Sequence, residues 1–132
     1  MKKYNLIITE RQAKRIILAL DLYTRLFTGQ LNELKNLTSN KINEKTLELL
    51  QKQMFPSLSG LNSSHGIHSR ELPDEIREAY DIFKVLMYEF NKDQGISNVY
   101  SDKVRQTSKQ VLPKFEKLEK NENQIDCKEV MK

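Results

Sequence analysis

The chain is expected to form a mainly α domain of three to four helices with a short N-terminal strand. Three observations predict this class. Apolar residues recur at helical spacing over two long stretches, the 132 residues hold only four Gly and no Trp, and the one clear alternating segment spans residues 3–9. If residues 99–107 pair with that segment, the domain gains a minor two-stranded sheet and becomes α+β.

The elements follow in order. Lys3-Tyr4-Asn5-Leu6-Ile7-Ile8-Thr9 is alternating and β-branched and reads as a strand. Thr9 then pairs with Gln12 in a capping-box pattern, and Ala13, Ile16, Ile17, Leu20, Tyr23, Phe27, Leu31 and Leu34 lay an apolar stripe along a long helix. Gly29 lies inside it at a cost of roughly 1 kcal/mol relative to Ala, so a kink, a break or a close approach by other backbone is expected there. A second helix covers about 43–54, with Ile42, Leu47, Leu50 and Met54 giving an apolar stripe, Asn40 or Asn43 as cap and Pro56 as its end. Asp74 and Glu75 open a third, where the macrodipole favours acids. Ile76, Ala79, Tyr80, Phe83, Leu86, Met87 and Phe90 follow the helical period to Gly95. Val99 to Thr107 alternates loosely, and Leu112-Pro113-Lys114-Phe115 interrupts any regular element. The compact domain is expected over 1–118, and the polar stretch 119–132, which includes Cys127, is expected to be a mobile tail.

Composition narrows the function classes. No apolar run approaches the roughly 18 residues of a membrane span, so no membrane partner is expected. Residues 1–9 lack a secretory pattern and the lone Cys127 cannot form an internal disulfide, which points to a cytoplasmic setting. The net charge of +4 is uneven, with a basic start and an acidic stretch over 74–95. There is no basic run of five or six and no aromatic-basic ribonucleoprotein pattern, so nucleic acid is not the expected partner.

Candidate chemistry concentrates in residues 57–70, which hold both histidines, five serines and two of the four glycines. A loop of this composition exposes backbone N–H groups and leads into a helix, an arrangement that suits an anion such as phosphate. Around Gly60 and Gly66 the backbone can approach a ligand closely. Ser64 and Ser69 supply hydroxyls, and His65 or His68 an imidazole donor. Arg77 flanks the following helix and Arg25 could reach the same mouth, guanidinium geometry suiting phosphate; pairing of Arg25 with Asp21, or of Arg77 with Asp74 or Asp81, accounts for these arginines equally well. Tyr23 and Tyr80 offer aromatic faces for a base.

Other chemistries fit less well. His65 and His68 have metal-pair spacing, but a closed zinc site needs two more ligands and the only Cys lies in the tail, so no metal or other cofactor is expected. No nucleophile elbow accompanies Ser64 or Ser69, and no catalytic residue is assigned. Glu75, Glu78 and Asp81 share a helical face that could hold magnesium, as in all-helical nucleotide pyrophosphohydrolases, yet the second carboxylate pair is poorly formed at Glu89 and Asp93 or at Glu44 and Glu48.

Tyr4-Asn5-Leu6 with Ile8-Thr9-Glu10, Ala19-Leu20-Asp21-Leu22-Tyr23 with Arg25 and Gly29-Gln30, His65-Gly66-Ile67-His68-Ser69, and Arg77-Glu78-Ala79-Tyr80-Asp81-Ile82 resemble a family of small, largely uncharacterised bacteriophage proteins. The likeness spans about residues 4–90, and Arg70 departs from the small residue or proline expected after Ser69. It implies an infected bacterial host, and small phage proteins of this size include sponges that sequester nucleotide immune signals, often as oligomers. The functional expectation is therefore non-catalytic sequestration of a phosphorylated nucleotide, such as a cyclic ADP-ribose-like signal or a cyclic dinucleotide. The ligand would be held by Tyr23, Arg25, Ser64, His65, Gly66, His68, Ser69, Arg77 and Tyr80. Two alternatives stay open: a protein-binding inhibitor of a host or defence protein, and a metal-dependent nucleotide hydrolase. Homo-oligomerisation is compatible with all three.

Overall fold

A computed structural model describes residues 1–95 and 104–118. Its described residues form four helices, α1 (Glu10–Phe27), α2 (Asn32–Leu37), α3 (Glu44–Met54) and α4 (Asp74–Asp93). The mainly helical class is as expected. The strand is not: residues 1–9 run without helix, turn or sheet partner among the described residues. A strand needs a ladder, and no described backbone lies alongside to supply one. Of the segment expected to pair with it, residues 99–103 lie outside the described residues and 104–107 are irregular. The whole of 119–132, Cys127 included, also lies outside them.

Local signals set the helix ends. Thr9 caps α1 through a complete box, its Oγ1 accepting from Gln12 N at 3.1 Å while Thr9 N donates to Gln12 Oε1 at 2.9 Å. Asn43 Oδ1 accepts from Thr46 N at 2.9 Å and starts α3. Beyond α4, Gly95 takes a positive φ of 68°, the left-handed conformation that glycine adopts without steric cost.

The long first helix is two. It breaks at Gly29, whose φ of 94° an L side chain rarely adopts, and α2 begins three residues later. A Cβ at Gly29 would collide with the Leu58 side chain, so the break also brings the 57–70 loop against the end of α1.

Packing follows from the apolar stripes. The stripes of α1 and α4 face each other, burying Ile17, Phe83 and Leu86, with Ile16, Leu20, Met87, Phe90 and Phe115 completing the cluster. Leu31, Leu47 and Ile76 are almost wholly buried. Residues 104–118 are held by α4. Asp81, 3% exposed, accepts from Thr107 N at 3.0 Å, Thr107 Oγ1 at 2.6 Å and Ser108 N at 2.9 Å, and Asp74 Oδ2 accepts from Lys109 N at 3.1 Å. Buried carboxylates persist where donors converge on them in this way.

Candidate functional site

The serine- and histidine-rich loop is a chain of small turns. Ser63 N and Oγ both donate to Gly60 O, and Gly60 N donates back to Ser63 Oγ at 3.1 Å. A second turn runs from Gly66 to Ser69, whose N donates to Gly66 O at 2.9 Å, and Ser69 O accepts from Leu72 N at 3.2 Å. Such turns are what Ser and Gly at three-residue spacing favour. They also consume backbone donors: the N–H groups of Leu58, Gly60, Ser63, His65, Ser69 and Leu72 are all satisfied inside the protein.

Three attachments fix the loop to the helices. His65 N donates to Thr28 O at 2.8 Å. Gln51, buried in α3, donates through Nε2 to Gly29 O at 3.0 Å and Ser63 O at 3.3 Å. Arg77 Nη1 donates to Leu72 O at 2.9 Å and Nη2 to Ser69 O, with Asp74 Oδ1 at 4.0 Å from Nη1. Arg77 thus closes the loop's exit onto α4. Arg25 is occupied too, its Nε donating to Asp21 Oδ1 at 2.9 Å, Nη1 to Gln30 Oε1 at 3.1 Å, with Glu33 Oε1 at 3.6 Å. Both arginines therefore brace the scaffold.

The remaining expected residues separate into groups. The side chains of Ser64 and His68, and of neighbouring Arg70, are exposed and make no hydrogen bond or ion pair with a described residue. Gly66 is exposed with open space around its Cα. Tyr80 lies on α4, where Lys84 Nζ sits 5.0 Å from its ring centroid, and lines neither of the two clefts that border the loop. His65 and Tyr23 do come near each other through Phe27. The Tyr23 and Phe27 rings meet at a tilt of 52° with centroids 5.0 Å apart, and Phe27 and His65 both line a groove of about 220 Å³ with Met54, Phe55, Pro56 and Leu72. His65 is nearly enclosed there, its ring edge-on to Phe55 at 5.9 Å and its Nε2 3.2 Å from Glu71 Oε2.

That groove is what the sequence reading missed. Helical spacing places Phe27, Leu50 and Met54 on core stripes, and Tyr23 on a stripe as well as among the ligand-binding candidates, yet all four stay 37–47% exposed. Leu50 precedes Met54 by one helical turn, so both lie on the same side of α3. A signal existed: the stripe of α1 is interrupted at Gly29, so its last apolar residues have no continuing helix to cover them.

Comparisons with known proteins add no family. No family model, no curated protein and no solved structure matches this chain.

A larger cleft of about 530 Å³ opens on the other side of the loop, between Asn32, Glu44, Glu48 and residues 59–63. Its charged side chains are carboxylates, with Glu44 already 3.2 Å from Lys35 Nζ, so it repels rather than gathers phosphate. The acidic face of α4 is likewise divided, because Asp81 is buried beneath Thr107 and Ser108 while Glu75 is exposed. No group of three His, Cys, Asp or Glu is placed to hold a metal among the described residues, and no described helix is long and apolar enough to cross a membrane.

Proposed function

We propose that this chain is a non-catalytic binding protein that docks a partner protein through the groove at the ends of α1 and α3. One observation carries the reading: Phe27 and Met54, large, apolar and 41% and 47% exposed, line a shallow groove of about 220 Å³, and Tyr23 and Leu50, one helical turn before each of them, are exposed as well. Scattered apolar residues on a surface need no explanation, but large apolar side chains lining one concavity, continued by exposed neighbours one helical turn away, mark a docking site. A hot spot of this kind takes a hydrophobic side chain into its floor while the flanking aromatic rings exclude water. The resemblance to small bacteriophage proteins supports a partner in a host defence system.

A phosphorylated nucleotide is the second reading, favoured by the exposed Ser64, His68 and Arg70, whose side chains pair with no described residue, on the loop that supplies His65 to the groove. A base would lie against Phe27 and His65, and phosphate would take these three donors instead of Arg25 and Arg77. The two readings separate on variants. A photo-crosslinking residue at Met54 is expected to capture one protein from infected cells, and the same residue at Leu49, on the opposite side of α3, to capture none. Phe27→Asp with Met54→Asp should abolish the capture, and Ser64→Ala with His68→Ala and Arg70→Ala should leave it intact. Equal capture from both positions refutes protein docking at the groove. Release of an intact nucleotide on denaturation, lost in the triple-alanine variant, establishes the second reading instead.

A further inference from the structure

Residues 1–9 carry a signal that the groove does not absorb. Tyr4, Leu6 and Ile7 are 91%, 71% and 54% exposed in a segment with strand-type alternation. The segment leads without turn or bend into Thr9, whose φ of −76° and ψ of 163° are extended. No N–H or C=O of residues 1–8 pairs with the backbone of a described residue. An extended, apolar edge with its hydrogen-bonding groups unpaired is a template for adding another strand.

The sequence of the segment is complementary to itself. Read antiparallel about Leu6, Tyr4 faces Ile8, Asn5 faces Ile7 and Lys3 faces Thr9. Tyr–Ile is a favourable cross-strand pair, and it occurs twice about the axis. A two-fold interface demands this self-complementarity, because each surface must recognise its own copy. Alternation puts Tyr4, Leu6 and Ile8 on one face, and Ile8 is the member already partly covered by the domain. That contact matters, since a two-stranded ribbon is marginal unless one face packs on something else.

We propose that residues 3–9 pair antiparallel with the same residues of a second copy of this chain, with Leu6 on the two-fold axis. The strand expected from the sequence is then completed between chains rather than within one.

The test is the solution mass of the full chain, with three variants. The unmodified chain is expected at twice 15.5 kDa. Leu6→Asp sets two carboxylates against each other on the axis and should weaken association ~100-fold or more, with an unchanged helical circular dichroism spectrum. In a Cys127→Ser background, Leu6→Cys should cross-link two chains, because directly paired residues lie about 4.5–5.5 Å apart, within disulfide reach. Tyr4→Cys should not, because its counterpart lies roughly 14 Å away along the ribbon. A monomeric mass for the unmodified chain overturns the proposal. So does a dimer that survives Leu6→Asp, or one in which Tyr4→Cys cross-links as well as Leu6→Cys.

Discussion

Replacing Gln51 by Leu tests whether the loop is held by the polar bridge beneath it. Gln51 is 2% exposed, and its Nε2 is shared between Gly29 O and Ser63 O. Leucine keeps the volume and removes both bonds. Gly29 O keeps a second donor, Leu31 N at 3.0 Å, so only one of its lone pairs is left empty. Ser63 is partly exposed, and water can replace its lost partner. The loss should therefore fall at the low end for buried acceptors, about 1–2 kcal/mol in all. Gln51→Glu is the sharper variant. It turns a carboxylate toward two carbonyl oxygens with no donor between them, and an unpaired buried charge costs about 3–5 kcal/mol. Once protonated, the same side chain donates an O–H to one carbonyl. The folded state of Gln51→Glu then holds its proton more tightly than the unfolded chain, whose Glu titrates near 4.3. Stability is highest below that value and falls as pH rises through the raised folded-state value. Urea denaturation followed by circular dichroism across pH 4 to 8 measures both variants. The reasoning fails if Gln51→Leu lies within about 0.5 kcal/mol of the unmodified protein, or if Gln51→Glu is no worse than Gln51→Leu at neutral pH.

Two further outcomes are expected. Asp81→Ala removes the acceptor of Thr107 and Ser108, and should cost about 2–3 kcal/mol with faster amide exchange at 107–109 than in the helices; equal protection in the variant refutes the anchoring role. Thr24 Oγ1 is buried on α1 with no hydrogen-bond partner among the described residues, so the isosteric Thr24→Val should raise stability by about 0.5–1 kcal/mol in thermal unfolding.

The site was legible by place more than by role. The 57–70 loop does border the groove, and His65 lies in it. The roles of Arg25 and Arg77 were open between ligand and scaffold because either outcome obeys the same local spacing. Asp21 lies one helical turn from Arg25, whereas the carbonyls that Arg77 binds belong to a loop whose path depends on Leu58 and Gln51. Glycine- and serine-rich composition predicts turns, but not whether their N–H groups face solvent or close on one another.

What the sequence by itself determined are the three long helices and several of their ends: the Thr9–Gln12 box, a cap at Asn40 or Asn43, Pro56, the acids after Pro73, and Gly95. Each signal acts over three or four residues, within the reach of one side chain to its own backbone. Tertiary structure decided the rest. It chose a break over a kink at Gly29, set Gln51 across 22 residues to Gly29 and Asp81 across 26 to Thr107, and left Tyr23, Phe27, Leu50 and Met54 uncovered. Those outcomes depend on which element arrives beside which, and a periodic stripe carries no record of what will cover it.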